Sequence, residues 1–317
     1  MGTRLRPHTH FVPKAMLSIG KSNILGTILD SLLDLNPTEI LFVTGYLEDS
    51  IKEYIDSRTD LPPVRYVSQP DPQGLGQAIQ LCSPYLNDED PAFIILGDTL
   101  FEADLSSLKE AKSNILFTRK VEDPRRFGVA VTDENGKISK LVEKPQEFIS
   151  DEAITGLYYF PDSKQLKTSL AHIVDNDIRT RGELQLTDAL AHMLESGSEF
   201  HSKPLDMWLD CGKKDALLET NAHLLSNMET NFEKQGVEIV PPCYIAPGVE
   251  IEASKIGPNV TILEGSVVKN SNISNSILSK DCTVTFSQLF ETVLSAHCEV
   301  ENGKGSLDLG CHSKIFG

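Results

Sequence analysis

EIVPPCYIAPGVEIEASKIGPNVTILEGSVV, residues 238–268, decides one half of the fold. Ile239, Ile245 and Ile251 stand six apart, and Ile256, Ile262 and Val268 repeat that spacing. Ile273, Leu278, Val284, Leu289 and Leu294 continue it at five or six. Between them stand turn-forming groups such as Ala246-Pro247-Gly248, Gly257-Pro258-Asn259 and Glu264-Gly265-Ser266. One aliphatic residue per short strand cannot bury itself, but a stack of coils buries the whole row. The spacing therefore predicts a solenoid over residues 238–317.

Upstream, the period is different. Residues 24–35 (ILGTILDSLLDL) carry helical apolar spacing stopped by Asn36-Pro37. The runs 40–43, 64–67, 93–96 and 115–117 read as strands. Helical stretches near 48–55, 76–85 and 104–111 separate them, and 213–235 reads as a polar connector helix. Strand and helix alternating at this spacing predict an α/β domain whose mostly parallel sheet is covered on both faces. The chain has 317 residues, 40% hydrophobic and 24% charged, which excludes global disorder and fibrous repeats. Its 29 basic against 46 acidic residues leave −17, a surface that repels nucleic-acid backbones and anionic membranes. No apolar run approaches the ~20 residues that span a bilayer. No leader pattern opens the sequence. Six scattered cysteines without a CxxC pair suit reduced thiols in a cytoplasmic protein.

The sharpest chemical signal is Gly2-Thr3-Arg4-Leu5-Arg6-Pro7 followed by Val12-Pro13-Lys14-Ala15-Met16. A Gly-rich turn offers backbone N–H groups to an anion, and a nearby Arg and Lys add fixed positive charge. In so acidic a chain, two such cations suit a polyphosphate. Further blocks follow in order: Gln69-Pro70-Asp71-Pro72-Gln73-Gly74-Leu75-Gly76-Gln77-Ala78, Gly97-Asp98-Thr99, Phe127-Gly128-Val129-Ala130, and Val142-Glu143-Lys144-Pro145. Thr155-Gly156-Leu157-Tyr158, Arg181-Gly182-Glu183-Leu184 and Trp208-Leu209-Asp210-Cys211-Gly212 complete them.

Together these blocks resemble the sugar-1-phosphate nucleotidyltransferases. The likeness is nearest to glucose-1-phosphate thymidylyltransferases of the long kind, which carry a C-terminal left-handed β-helix of hexapeptide repeats. The resemblance implies a Rossmann-like nucleotidyltransferase domain over residues 1–222, a connector helix over 213–237 and a left-handed β-helix over 238–317. It implies that Gly2, Thr3, Arg4 and Lys14 hold a nucleoside triphosphate, and that Gln69 and Gly74 read a pyrimidine base. Asp98 and Asp210 would hold Mg2+. Gly128, Glu143, Lys144, Gly156 and Tyr158 would surround the sugar phosphate, and Arg181 would meet phosphate charge. Arg4, Lys14, Lys144 and Arg181 are then the catalytic set. The implied reaction joins dTTP or UTP to a sugar 1-phosphate, glucose 1-phosphate first, in a homo-oligomer. A non-catalytic homologue that binds sugar nucleotide and a mannose-1-phosphate guanylyltransferase are the alternatives.

The residue types suit that chemistry on their own. A phosphate oxygen attacking an α-phosphorus needs charge neutralised on both sides, which Arg, Lys and a carboxylate-held Mg2+ supply. No protein nucleophile is required. His297 and His312 lie in the solenoid without a recognisable acyl-donor motif, so they read as packed or solvated histidines. In the family an apolar strand ending in Ala-Gly or Gly-Gly precedes the signature, whereas here Met1 directly precedes it. The expectation is a strand encoded upstream. A degenerate paralogue is the other reading.

Overall fold

The computed structural model describes residues 3–317, apart from the side chain of Asp210. In chain order it runs β1 (Ser18–Ile19), β2 (Ser22–Asn23), α1 (Ile24–Leu33), β3 (Ile40–Thr44), α2 (Glu48–Ser57), β4 (Val64–Ser68) and α3 (Leu75–Gln80). Then come β5 (Ala92–Ile95), β6 (Thr99–Glu102), β7 (Asn114–Lys120), β8 (Gly128–Thr132), β9 (Ile138–Glu143) and β10 (Glu152–Phe160). Helices α4 (Lys164–Asp175) and α5 (Leu186–Glu195), strands β11 (Phe200–Pro204) and β12 (Met207–Asp210), and helix α6 (Lys214–Ser226) lead to the solenoid. The chain forms two compact units. One contains residues 32–46 and 58–208, and the other residues 1–31, 47–57 and 209–317.

The first unit is built around β10, whose sequence EAITGLYYF is apolar almost throughout and buried on both faces. It pairs antiparallel with β5, β7 and β8, while β11 runs parallel to β7 and β9 antiparallel to β8. Thus β5, β7, β8 and β11 share one direction, opposed by β9 and β10. Alternate side chains go to opposite faces. Leu116, Tyr158 and Phe160 pack with Leu166, Leu170 and Ile173 of α4 and Leu190 and Met193 of α5. Phe117 and Leu157 pack instead with Phe101, Leu105, Leu108 and Leu205. A register shift between Ile154 and Tyr158 brackets Gly156, whose φ is 92°. It divides β10 into an end that pairs with β8 and an end that pairs with β5. Strands β3 and β4 form a separate parallel pair. Among the described residues β3 pairs as a strand only with β4, and β5 only with β10.

In the second unit α1 starts where Asn23 Oδ1 accepts a hydrogen bond from the Gly26 N–H at 2.7 Å, an N-cap. The solenoid is three five-stranded parallel sheets, each strand stacked on its equivalent one coil earlier. Ile239 pairs with Ile256, Ile273 and Leu289 in turn. Ile245, Ile262, Leu278 and Leu294 form a second ladder, and Ile251, Val268, Val284 and Val300 a third. These inward rows are the core of the unit. The predicted aliphatic positions are the inward ones.

Three local expectations are corrected. The connector helix stops at Ser226, not at 235. Residues 227–235 leave the helix because Thr230 is drawn to the solenoid: its Oγ1 accepts from the Cys243 N–H at 2.9 Å and donates to the Cys243 carbonyl at 3.1 Å. The helix expected over 104–111 is a 3-10 turn, Ser106–Glu110, whose first N–H, that of Ser106, donates to Asp104 Oδ1. The stretch 76–85 divides into α3 and the 3-10 turn Ser83–Tyr85, since Pro84 cannot donate within a continuing helix.

The second unit also holds residues 3–20, which run along the solenoid. The C-terminal coils meet this segment at Pro7 and His8, Ser279 meets it at Ser18, and Thr261 at Gly20. Asn221 of α6 ties the last of these, its Oδ1 accepting from both the Gly20 N–H and Thr261 Oγ1 at 2.8 Å.

Candidate active site

Four residues of the first unit gather around Glu143, the last residue of β9. Its side chain is only 8% exposed, and its Oε1 lies 3.0 Å from Lys144 Nζ. Its Oε2 accepts from Thr187 Oγ1 at 2.7 Å, from the first turn of α5. Gly128 is the register partner of Glu143 on β8. A Cβ there would stand 2.8 Å from Thr187 Oγ1 and 3.0 Å from Glu143 Oε2, so any side chain at this position would displace one of those two oxygens. Lys144 turns away from the strand with φ 42° and donates its N–H to the Phe127 carbonyl at 2.9 Å. Arg181 closes the group, its guanidinium donating to the Lys144 carbonyl at 3.0 Å. A buried carboxylate held by a lysine and a hydroxyl, with a half-exposed ammonium beside it, can accept from sugar hydroxyls and meet a phosphate.

Tyr158 is buried on β10, and burial together with the Glu143 charge pushes its phenol well above the ordinary value. It stays neutral at any working pH. Gly156 accepts the Leu96 N–H at 3.1 Å, which sets it against the loop that carries Asp98 at the end of β5. A Cβ on Gly156 would lie 2.7 Å from the Leu96 side chain. Asp98 is half-buried at the carboxyl end of β5, where open α/β sheets place their ligands.

The loop between β4 and α3 forms a second cluster. Gln69 Nε2 donates to Gln77 Oε1 at 2.7 Å and to the Gly74 carbonyl at 3.3 Å. A carbonyl only accepts, so the amide is oriented with its nitrogen inward and its Oε1 available as an acceptor. Gly74 adopts φ 128° and lies so near Leu184 that a Cβ would stand 2.4 Å from its carbonyl oxygen. Leu184 donates its N–H to the Gln73 carbonyl at 2.8 Å, and Arg179 donates to Gln73 Oε1 at 2.7 Å. Residues 179–184 therefore join this loop to the Glu143 cluster through Arg181.

Two residues absent from the sequence reading belong to the site, Thr187 and Asp188. The Asp188 carboxyl is half-buried, and burial raises it above its ordinary value despite the Thr180 hydrogen bond at 3.1 Å; the Glu143 charge raises it further. Its Oδ2 has no partner among the described residues. A signal for both exists in the sequence, since they follow within one helical turn of Arg181-Gly182-Glu183-Leu184.

Of the remaining expected residues, Thr3, Arg4 and Lys14 lie in the second unit, on the 3-10 turns Thr3–Leu5 and Lys14–Met16. Gly2 lies outside the described residues. Asp210 ends β12, and its side chain is outside them as well. Among the described residues no three His, Cys, Asp or Glu side chains gather into a metal cage. Mg2+ needs no such cage, because it takes one or two carboxylates and completes its shell with waters and phosphate oxygens. Asp98, a half-buried carboxylate at a strand end, suits that mode. All six cysteines are free thiols, and five are buried.

The family description "Nucleotidyl transferase" matches residues 1–227. The chain belongs to this family. It is 26% identical to a glucose-1-phosphate thymidylyltransferase from Streptomyces antibioticus, over 99% of this chain and 96% of the relative. It is 31% identical to the UTP--glucose-1-phosphate uridylyltransferase AglF of Haloferax volcanii, over 67% of this chain and 87% of that one. A solved Bacillus anthracis structure, assigned as a glucose-1-phosphate thymidylyltransferase and complexed with sucrose, superposes with a TM-score of 0.61. It is 29% identical and covers 74% of this chain and 94% of its own. This nucleotidyltransferase unit is thus followed by a parallel β-solenoid of five coils. No helix among the described residues is long and apolar enough to cross a membrane.

Proposed function

We propose that the protein joins dTTP or UTP to a hexose 1-phosphate, glucose 1-phosphate first among them, releasing pyrophosphate and an NDP-sugar. The observation that carries the sugar side is the Glu143 carboxylate between Lys144 and Thr187, beside a glycine whose replacement would push against both the carboxylate and the hydroxyl. The base side rests on Gln69. With its nitrogen committed to Gln77 and Gly74, it offers an acceptor to a base N–H. Thymine and uracil carry such an N–H at N3, whereas cytosine presents a lone pair there.

An oxygen of the sugar phosphate attacks the α-phosphorus in line, a new P–O bond forms, and the bond to the β-phosphate bridging oxygen breaks. No proton transfer is required, because the attacking phosphate is already ionised. Lys144 and Arg181 orient and neutralise the sugar phosphate, while Arg4, Lys14 and the backbone N–H groups after Gly2 hold the triphosphate. A divalent ion held by Asp98 and Asp210 would neutralise charge on the reacting phosphates when bound.

Pyrophosphate release with glucose 1-phosphate and each of dTTP, UTP, CTP, GTP and ATP, with Mg2+ or EDTA, tests this reading. Turnover with dTTP or UTP, at least about a hundredfold above CTP, is expected from one mispaired polar edge at a half-buried amide. Asp98→Asn should lower kcat about a thousandfold, about 4 kcal/mol. Release with no nucleotide, or a preference for ATP, would sink it.

A further inference from the structure

Residues 3–16 carry three separate 3-10 turns, each closed by little more than one i to i+3 hydrogen bond. Such a segment has little order of its own. Its middle is fixed from outside. His8, 1% exposed, stands between two residues of the last solenoid coils. Its Nδ1 lies 2.7 Å from Ser295 Oγ, and its Nε2 makes a short hydrogen bond to Asp308 Oδ1. A carboxylate can only accept, so Nε2 carries the proton and Nδ1 accepts from the Ser295 hydroxyl. A neutral imidazole thereby satisfies both contacts. The neighbouring Pro7 packs on Gly310, where a Cβ would come within 3.1 Å of the proline ring. Arg4 lies four residues before this anchor and Lys14 six after it.

We propose that His8 is a positioning residue, and that the Ser295–His8–Asp308 relay makes the solenoid the support that shapes the triphosphate-binding segment. The proposal rests on the nucleotide role assigned above to Thr3, Arg4 and Lys14. Burial lowers His8 below its ordinary 6.5 although the Asp308 hydrogen bond and charge pull it up, and Lys214 opposes them weakly from α6. The neutral form is therefore the docked one.

The test compares Asp308→Ala, Asp308→Asn and Ser295→Ala with the parent chain. The asparagine variant keeps a carbonyl acceptor for the Nε2 proton, and the alanine variant does not. Asp308→Ala should raise the KM for dTTP or UTP about tenfold, as expected for one charge-assisted hydrogen bond, and Ser295→Ala a smaller severalfold amount, as expected for a neutral one. The KM for glucose 1-phosphate should stay within about twofold, and Asp308→Asn should restore most of the loss. Backbone amide exchange at residues 3–16 should quicken in Asp308→Ala while amides of the solenoid core stay protected. Equal rises in both KM values, or unchanged exchange at 3–16, would overturn the proposal. If the parent chain transfers no nucleotide, the functional reading fails, and the exchange measurement still decides whether the relay orders the segment.

Discussion

At the residue scale the site sets two carboxylates against each other. Glu143 is compensated by Lys144 and Thr187, whereas Asp188 has one Thr180 hydrogen bond and pays for its burial with a raised pKa. A carboxyl whose folded value lies above its unfolded one stabilises the fold only while it holds its proton. Its contribution is full below the unfolded value near 3.8 and is lost as pH rises through the folded one. At neutral pH the charge is therefore a cost, and Asp188→Asn should melt no lower than the parent chain. Its kcat should fall, because the charge faces the sugar-phosphate cluster. A lowered melting temperature with intact kcat would make Asp188 structural. Lys144→Ala should raise the KM for glucose 1-phosphate at least about tenfold with little change for the nucleotide. The candidate site was legible where its members share one sequence block, as with the neighbours Glu143 and Lys144 and with Gln69, Gly74 and Gln77, which the structure brings together. Asp188 was not, because its importance lies in one carboxylate oxygen, Oδ2, that has no partner among the described residues, which only three dimensions reveal.

At the scale of elements, the solenoid shows how far spacing alone reaches. The inward rows from Ile239 to Leu294 were legible because each strand contributes one aliphatic residue and the coil returns it to the same line. Ile273 is fully buried in the central coil. Ile273→Ala should therefore cost about 2–5 kcal/mol, read as a drop in the denaturation midpoint with an unchanged slope. A loss under about 0.5 kcal/mol, the ordinary range for surface changes, would mean that the row does not hold the coils together. Helix ends were less legible. The polar residues up to 235 are compatible with a helix, yet the pair of hydrogen bonds from Thr230 to Cys243 outweighs that weak preference.

For the whole molecule, the sequence suggests a boundary near residue 222, while the compact units assign residues 1–31 and 47–57 to the solenoid's side. Nothing local could announce the first of these, since contacts that tie it to the solenoid join residues 287 and 300 apart, His8 to Ser295 and His8 to Asp308. They also make the pH response predictable. His8 is lowered by burial, so the unfolded chain takes up the proton first. The docked state has its full advantage above about 6.5 and loses it as pH falls. The drop in melting temperature between about pH 7.5 and 5.5 should be larger in the parent than in His8→Met, which fills the space without titrating. Identical drops would remove His8 from the pH response.

The path of residues 7–20 along the solenoid has one more consequence. Each coil advances the stack by about 4.8 Å, and the segment touches it at Asp308 and Ser295, at Ser279 and at Thr261. The solenoid is thus a graduated scale against which a leash of fixed length is read. Excising residues 280–295 would leave every aliphatic row in register. The same excision would remove Ser295 and slide Asp308 one notch nearer, while Ser18 and Gly20 kept their own marks. Repeat number in such a protein is therefore not free to drift: a gained or lost coil must be matched by a change in the leash, or the leading turns lose their hold.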